Sequence, residues 1–286
     1  MAALELKLAK ETQEELRFLL RGHRLGRRRG RPPNQQQPDA IRLAYYGDLR
    51  KVLADAKRLV DRELVPHLAE LVTHEDALRV DARRASDIMR GISADFEASL
   101  RTRDLEALAT KHAEATSRFQ REQLQRQLRA GVGVDIPVRD STKVLRANRR
   151  FAEENDAYIK SIPREYFGQV QKKVLQGISA GRRWEEIAKD IERRYDVSES
   201  TARTIARDQV GKLSAQLNRI RQENLGITGY RWRGVLDSRE RPEHREREGK
   251  YFDWDDPPED GHPGEPINCR CSAEPDVKGL LASLEE

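Results

Sequence analysis

The chain has few cysteines, few aromatic residues and no long apolar run, and each shortage excludes a class of protein. Two of its 286 residues are cysteines and 6% are aromatic. Cys269 and Cys271 are one residue apart, too close to pair without strain, so a secreted domain held by disulfides is excluded. No segment approaches the ~18 apolar residues of a membrane helix, and the first residues lack a signal peptide's apolar stretch. The sequence therefore predicts no membrane segment and synthesis in the cytoplasm.

Charge is plentiful but unevenly distributed. Charged residues make up 36% of the chain and hydrophobic residues 37%, a balance typical of long, solvent-exposed helices. Residues 1–38 carry nine basic and four acidic side chains, a net charge of +5. Residues 39–225 sum to +6 and residues 226–286 to −6. This polarity favours a connector between unlike surfaces over a protein that coats nucleic acid.

Apolar residues recur every three or four positions through most of the chain, which predicts amphipathic helices. The strongest such pattern covers 41–60 and stops before Pro66. Two more helical stretches lead to a hinge at Gly131, Gly133 and Pro137. After the hinge we expect helices at about 141–160, 164–177, 182–195 and 199–224, the last capped by Ser198 or Ser200.

The predicted fold class is mainly α: an elongated helical body with a small α+β or irregular C-terminal domain that zinc could hold together. Tyr230 and Trp232 alternate with polar residues and predict a short strand at the start of that domain. We divide the chain into five segments: an N-terminal helix (1–21), a basic flexible arm (22–38), a helical domain (39–135), a helical lead-in (136–225) and the C-terminal domain (226–286).

The arm is too polar to form a core. Its arginines could bind DNA phosphates, dock on an acidic protein surface or remain solvated. They are Arg24, Arg27, Arg28, Arg29 and Arg31.

Four candidate zinc ligands lie in the C-terminal domain: His244, His262, Cys269 and Cys271. Two imidazoles and two thiols are the donors that tetrahedral zinc prefers. A segment of ~60 residues with few large apolar groups also needs such a staple. The alternative is that the cysteines are ordinary thiols and the histidines surface residues.

The order of motifs in this domain resembles the carboxy-terminal domain of the phage minor head protein family typified by the F protein of phage Mu, also called head morphogenesis proteins. The resemblance covers roughly 140–275. Many relatives have Cys-Pro-x-Cys where this chain has Arg241-Pro242-Glu243-His244. The matching positions are Tyr230, Trp232, Asp237, Arg239, Gly249, Lys250, Phe252, Asp255, Asp256, Pro257, Pro258, His262, Pro263, and Asn268 to Cys271.

The resemblance implies a non-enzymatic virion component made in the host cytoplasm and placed inside the phage head. It would be associated with the portal vertex and act in head morphogenesis and in DNA packaging or delivery. The implied partners are the portal protein, the inner capsid or scaffold, and packaged DNA through the arm.

Two alternatives come from other classes of protein. Residues 181–209 resemble a helix-turn-helix, with a turn at 196–200 and Ser200, Thr201, Arg203 and Arg207 facing DNA; an ordinary helix pair fits the same pattern. A zinc-dependent nuclease is the weaker alternative, because its carboxylates fall in a Pro-interrupted stretch typical of a solvated loop. Those carboxylates are Asp253, Asp255, Asp256, Glu259 and Asp260.

Overall fold

The computed structural model describes residues 11, 13–20, 33–72 and 78–285. These residues form a mainly helical fold with one small sheet, which confirms the predicted fold class. Residues 13–20 are helical, and a 3-10 turn spans Val65–His67. The other helices are α1 (Asp39–Glu63), α2 (Leu68–Val72), α3 (Leu78–Arg101), α4 (Leu105–Val132), α5 (Thr142–Ser179), α6 (Trp184–Asn224), α7 (Pro242–Glu246) and α8 (Val277–Glu285). The strands are β1 (Gly229–Arg233), β2 (Tyr251–Asp253) and β3 (Ser272–Pro275).

The chain forms two compact units, and neither is a continuous stretch of sequence. The helical unit consists of Arg42–Ala109 and Ala152–Arg207. The composite unit combines the described residues up to Ile41 with Thr110–Phe151 and the described residues from Asp208 onward. We call residues 226–285, within the composite unit, the C-terminal module. The division into five consecutive segments stays a prediction.

Helix α1 shows how the apolar pattern builds the helical unit. Tyr45, Leu49 and Leu53 are fully buried, as their spacing predicts. The helix ends before Pro66, which opens the 3-10 turn at its first positions, where a missing N–H is tolerated. The helix predicted here is confirmed.

Helix α5 corrects the prediction of two helices at 141–160 and 164–177. It runs unbroken through Pro163. A proline inside a helix costs ~3 kcal/mol, but Ile162, Tyr166 and Phe167 beside it are all buried. Packing of these side chains therefore outweighs the local cost.

Helix α6 likewise replaces the predicted pair at 182–195 and 199–224. Residues 196–200 are helical, so neither Ser198 nor Ser200 is an N-cap and the turn of the helix-turn-helix alternative is wrong. The segment has no Gly or Pro to stop the helix. Arg203, assigned there to DNA, packs over the ring of Tyr46 at 4.8 Å and donates to its hydroxyl.

The segment predicted as a hinge ends helix α4, and the residues that follow are part of an apolar core. Gly133 follows α4 with φ +88°, a conformation that favours glycine. Ile136 and Val138 next to it are buried in an apolar cluster of the composite unit, together with Leu16 from the helical residues 13–20.

The arginines assigned to the basic arm, Arg24 to Arg31, lie outside the described residues. The end of the arm, 33–38, makes side-chain hydrogen bonds with other parts of the composite unit. Gln37 Nε2 donates to the carbonyl of Arg270 at 2.8 Å, and Gln127 Nε2 donates to the carbonyl of Pro33 at 3.1 Å.

The sheet has the order β2-β1-β3, with both pairings antiparallel. Tyr230 lies opposite Phe252 on one side and Pro275 on the other, while Trp232 lies opposite Ala273. The predicted strand is thus confirmed and is the central strand of the sheet. None of the described helices is long and apolar enough to span a membrane.

Candidate metal centre

The centre is built on an aromatic cluster around β1. Tyr230 and Trp232 are both fully buried. The rings of Tyr230 and Trp254 lie 4.3 Å apart, and Phe252 packs against both β1 aromatics. These side chains form the hydrophobic core of the module.

Polar side chains of α6 attach the C-terminal module to the helix. Asn218 and Gln222, one helical turn apart, both donate to the carbonyl of Ala273 in β3, at 2.9 and 3.0 Å. Asp208 accepts from the backbone N–H of Asn268 at 2.8 Å. The sequence analysis did not identify these contacts. Two amide side chains spaced by four on the apolar face of a helix do indicate that a buried polar partner packs there.

Three of the four predicted ligands meet beside the cluster. His244 on α7 and the thiols of Cys269 and Cys271 are buried, and their donor atoms all lie within 4.8 Å of one another. His244 Nδ1 is 3.6 Å from the sulfur of Cys269 and 3.4 Å from that of Cys271. Residues 25 and 27 positions apart thus converge on one point.

These separations suit a tetrahedral metal. Zn–S bonds of ~2.3 Å and Zn–N bonds of ~2.0 Å, at the tetrahedral angle, place nitrogen and sulfur ~3.5 Å apart. The His244 distances to both sulfurs match that edge. The group can therefore hold a metal ion without a large rearrangement.

Asp260 orients the histidine from the other side. Its carboxylate lies 2.8 Å from His244 Nε2, which leaves Nδ1 free to face the thiols. Partial burial opposes ionisation of Asp260, but hydrogen bonds from His244 and Arg247 outweigh it and lower the carboxyl pKa. A carboxylate behind a ligating imidazole is the usual outer partner at zinc. Asp260 is exposed, as expected of a solvated carboxylate loop, and it also pairs with His244.

The two thiols share a hydrogen bond, so that one is more acidic than the other. The hydrogen bond with Cys271 lowers the pKa of Cys269 to about 6, despite burial. The Gly264 N–H also points at the Cys269 sulfur, at 3.4 Å. The bond to Cys269, together with burial, raises the pKa of Cys271. The pair therefore favours the thiolate form of Cys269, and the thiolate is the form of cysteine that binds metals.

His262 lies outside this group of three. Its Nδ1 is 2.9 Å from the hydroxyl of Tyr230, and the ring also bonds the backbone of Trp254. Burial lowers its pKa. The imidazole therefore packs in the aromatic cluster rather than beside the thiols.

Asp237 and Arg270 tie a loop to the cysteine pair. Arg270, between the two cysteines, makes two hydrogen bonds to the Asp237 carboxylate, at 2.5 and 2.6 Å. The backbone N–H of Arg239 also donates to Asp237, at 2.9 Å, while the Arg239 side chain is exposed. The bonds from Arg270 hold the pKa of Asp237 well below its usual range.

Other positions that match the family lie in the connection between β1 and β2 and in the turns of the module. Gly249 has φ +76° and donates to the carbonyl of Trp232 at 2.9 Å, and the Lys250 carbonyl accepts from the Trp232 N–H at 2.9 Å. Asn268 has φ +58°, a conformation that asparagine tolerates. Asp255 and Asp256 are exposed, as predicted for a solvated loop.

A family model matches a segment that includes most of this module. Residues 168–274 match the family model described as Phage Mu protein F like protein. That segment is a Mu F-like domain. The resemblance seen in the sequence is confirmed.

Two curated proteins are similar to the chain. An uncharacterized protein of Haemophilus influenzae is 32% identical over 200 residues, which cover 69% of this chain and 44% of the relative. The NAD(+)--arginine ADP-ribosyltransferase EFV of Enterococcus faecalis is 27% identical over 132 residues, or 41% of this chain and 27% of that protein. The chain thus spans less than half the length of either relative. No solved structure matches it.

Proposed function

We propose that this protein is a phage minor head protein that acts by binding, inside the head and near the portal vertex. The match of the Mu F-like domain carries this proposal, because that domain includes nearly all of the C-terminal module. Head morphogenesis and DNA packaging or delivery are the processes it would serve. Its partners would be the portal protein, the inner capsid or scaffold, and packaged DNA.

The charge pattern supports a connecting role. The acidic module and the basic arm differ in net charge by about ten units, so they suit different surfaces. The arm would contact DNA phosphates or an acidic protein face, since its arginines are fully charged at neutral pH.

We propose further that zinc is bound by His244, Cys269 and Cys271 and acts structurally. Bound zinc would tie α7 to the loop before β3, so the metal would supply folding energy to a module with a small core. The soft thiolates favour zinc over magnesium or calcium.

Particle composition tests the head-protein proposal. Particles of a phage or prophage that encodes the chain would be purified, and the protein quantified by mass spectrometry and cross-linked to its neighbours. We expect a few copies per DNA-filled particle, with cross-links to the portal or inner capsid. A protein absent from washed particles contradicts the proposal.

The arm has its own test, which separates DNA from protein partners. All five arm arginines would be changed to glutamine and binding to duplex DNA measured at two salt concentrations. Loss of salt-dependent binding with normal incorporation supports DNA, while loss of incorporation alone supports a protein partner. The matched control changes five exposed basic residues of the helical unit: Lys51, Arg58, Arg83, Arg90 and Arg101.

A further inference from the structure

The three donors leave one position of a tetrahedral site unfilled. Which atom occupies it decides the chemistry of the centre. A protein ligand there closes the site and makes it structural, whereas a bound water leaves it open for hydrolysis.

Glu240 approaches this position from the loop before α7. Its Oε1 is 3.4 Å from the sulfur of Cys271 and accepts a hydrogen bond from that thiol. A carboxylate oxygen and a thiolate bound to one zinc ion lie a similar distance apart, given Zn–O and Zn–S bonds of ~2.1 and ~2.3 Å. Bound zinc would displace the thiol proton, and Cys271 and Glu240 would be available to hold the cation.

The surrounding backbone binds the other carboxylate oxygen, Oε2, and leaves Oε1 on the side of Cys271. The N–H of Leu236 donates to Glu240 Oε2 at 2.6 Å, and Leu236 has φ +61°, an uncommon conformation for leucine. A Cβ added at Gly234 would collide with the same carboxylate. The left-handed Leu236 and the missing side chain at Gly234 therefore both leave room for Glu240.

Two other nearby side chains that could bind a metal, Asp260 and His262, already make hydrogen bonds elsewhere. Both oxygens of Asp260 are paired, one with His244 Nε2 and one with Arg247, on the side of the imidazole away from the thiols. His262 bonds to Tyr230 and to the backbone of Trp254. Glu240 is the acidic side chain that already contacts a sulfur of the group.

We infer that Glu240 is the fourth ligand of the zinc site, binding through Oε1. The inference rests on the zinc site proposed above. It requires the carboxylate to move closer to the group, because Glu240 contacts the group through Cys271 and is not among the three residues whose donor atoms lie within 4.8 Å of one another. The site is then closed, with two thiolates, one imidazole and one carboxylate, and it has no position at which to activate water.

Cobalt substitution tests this ligand set on the purified full-length chain. Tetrahedral Co²⁺ reports its ligands through visible d–d bands, and its thiolates through sulfur-to-metal charge transfer. We expect Glu240→Gln to weaken Co²⁺ and Zn²⁺ binding by at least ~10-fold and to shift the d–d bands, with the charge-transfer intensity of two thiolates retained. Glu243→Gln, an exposed carboxylate three residues away, is the matched control and should change neither readout.

Two more variants keep the outcome decisive. Glu240→His keeps a fourth ligand, so it should retain tight binding and move the d–d bands, even if Glu240→Gln proves unstable. His262→Gln should leave affinity and spectrum unchanged. Tight binding with an unaltered spectrum in both Glu240 variants overturns the inference and leaves the zinc site standing, as does a loss of affinity confined to His262→Gln. A wild-type chain that binds no metal overturns both.

Discussion

The helical unit and the C-terminal module bury different kinds of side chain. In the helical unit the interior is mainly apolar, with Leu49, Leu53 and Leu68 fully buried. In the module the interior is aromatic and polar. It holds Trp232, the donor group of His244 and the cysteines, and a paired arginine.

This difference determines how each region fails. An apolar helical core loses stability in proportion to the volume removed, because neighbouring side chains relax only partly. A small core with buried charge depends on every polar atom having its partner, since an unpaired group there is costly. Arg233 illustrates this, because it makes two hydrogen bonds to Glu274, at 2.6 and 2.8 Å, and a third to Glu248.

Removal of metal should produce the largest contrast between the two regions. If zinc supplies folding energy to the module, a strong chelator should strip amide-exchange protection from β1, β2 and β3 and leave α1 protected. Hydrogen exchange followed by mass spectrometry measures both regions in one sample. Equal protection in the module with and without chelator would contradict a structural metal.

Breaking the buried ion pair comes next. Glu274→Gln leaves Arg233 buried without its full counter-charge, and such losses cost about 3–5 kcal/mol. Urea unfolding followed by Trp fluorescence should show that the module of this variant unfolds at a lower urea concentration than that of the wild type. Glu246→Gln, a change of the same charge at an exposed position of α7, should have little effect. An equal effect of the two changes would show that the pair contributes no special stability.

Truncation of a helical core residue has a comparable upper limit. Leu53→Ala removes a fully buried side chain from α1 and should cost about 2–5 kcal/mol in the helical unit. Leu43, 69% exposed on the same helix, provides the control, since Leu43→Ala should change the free energy of unfolding only slightly. Circular dichroism during urea unfolding measures both variants. A loss in Leu43→Ala as large as in Leu53→Ala would show that burial on α1 is not what stabilises the unit.

Acid sensitivity gives the smallest contrast and reports on the Asp237 loop. Arg270 lowers the pKa of Asp237 in the folded state, so the ionised carboxylate stabilises the fold above its unfolded pKa of ~3.9. That contribution is lost as the pH falls toward the folded pKa. Asp237→Asn should therefore be less stable than wild type near pH 6, and the gap should narrow below pH ~4.

The control for the acid measurement is Asp255→Asn, at an exposed loop position. Thermal unfolding of the three proteins between about pH 3 and pH 7 gives the comparison. A gap between Asp237→Asn and wild type that stays constant with pH would show that the charge of Asp237 does not matter.

Helical periodicity was the readable part of the fold. The spacing of Tyr45, Leu49 and Leu53 predicted α1, and the alternation of Tyr230 and Trp232 predicted β1. Predictions of helix ends failed at Pro163, where packing outweighed local propensity, and at 196–200, where no Gly or Pro stops the helix.

The sequence showed which types of metal ligand are present in the candidate site, but not which residues come together there. The sequence by itself determined that His244, Cys269 and Cys271 are available as soft ligands, because that follows from residue chemistry. Only the tertiary structure decided that His262 pairs with Tyr230, that Asp260 supports His244, and that Glu240 reaches Cys271. These contacts join residues 16 to 32 positions apart across turns, and their geometry depends on how α7, the sheet and α6 pack together. No local pattern of residues encodes that packing.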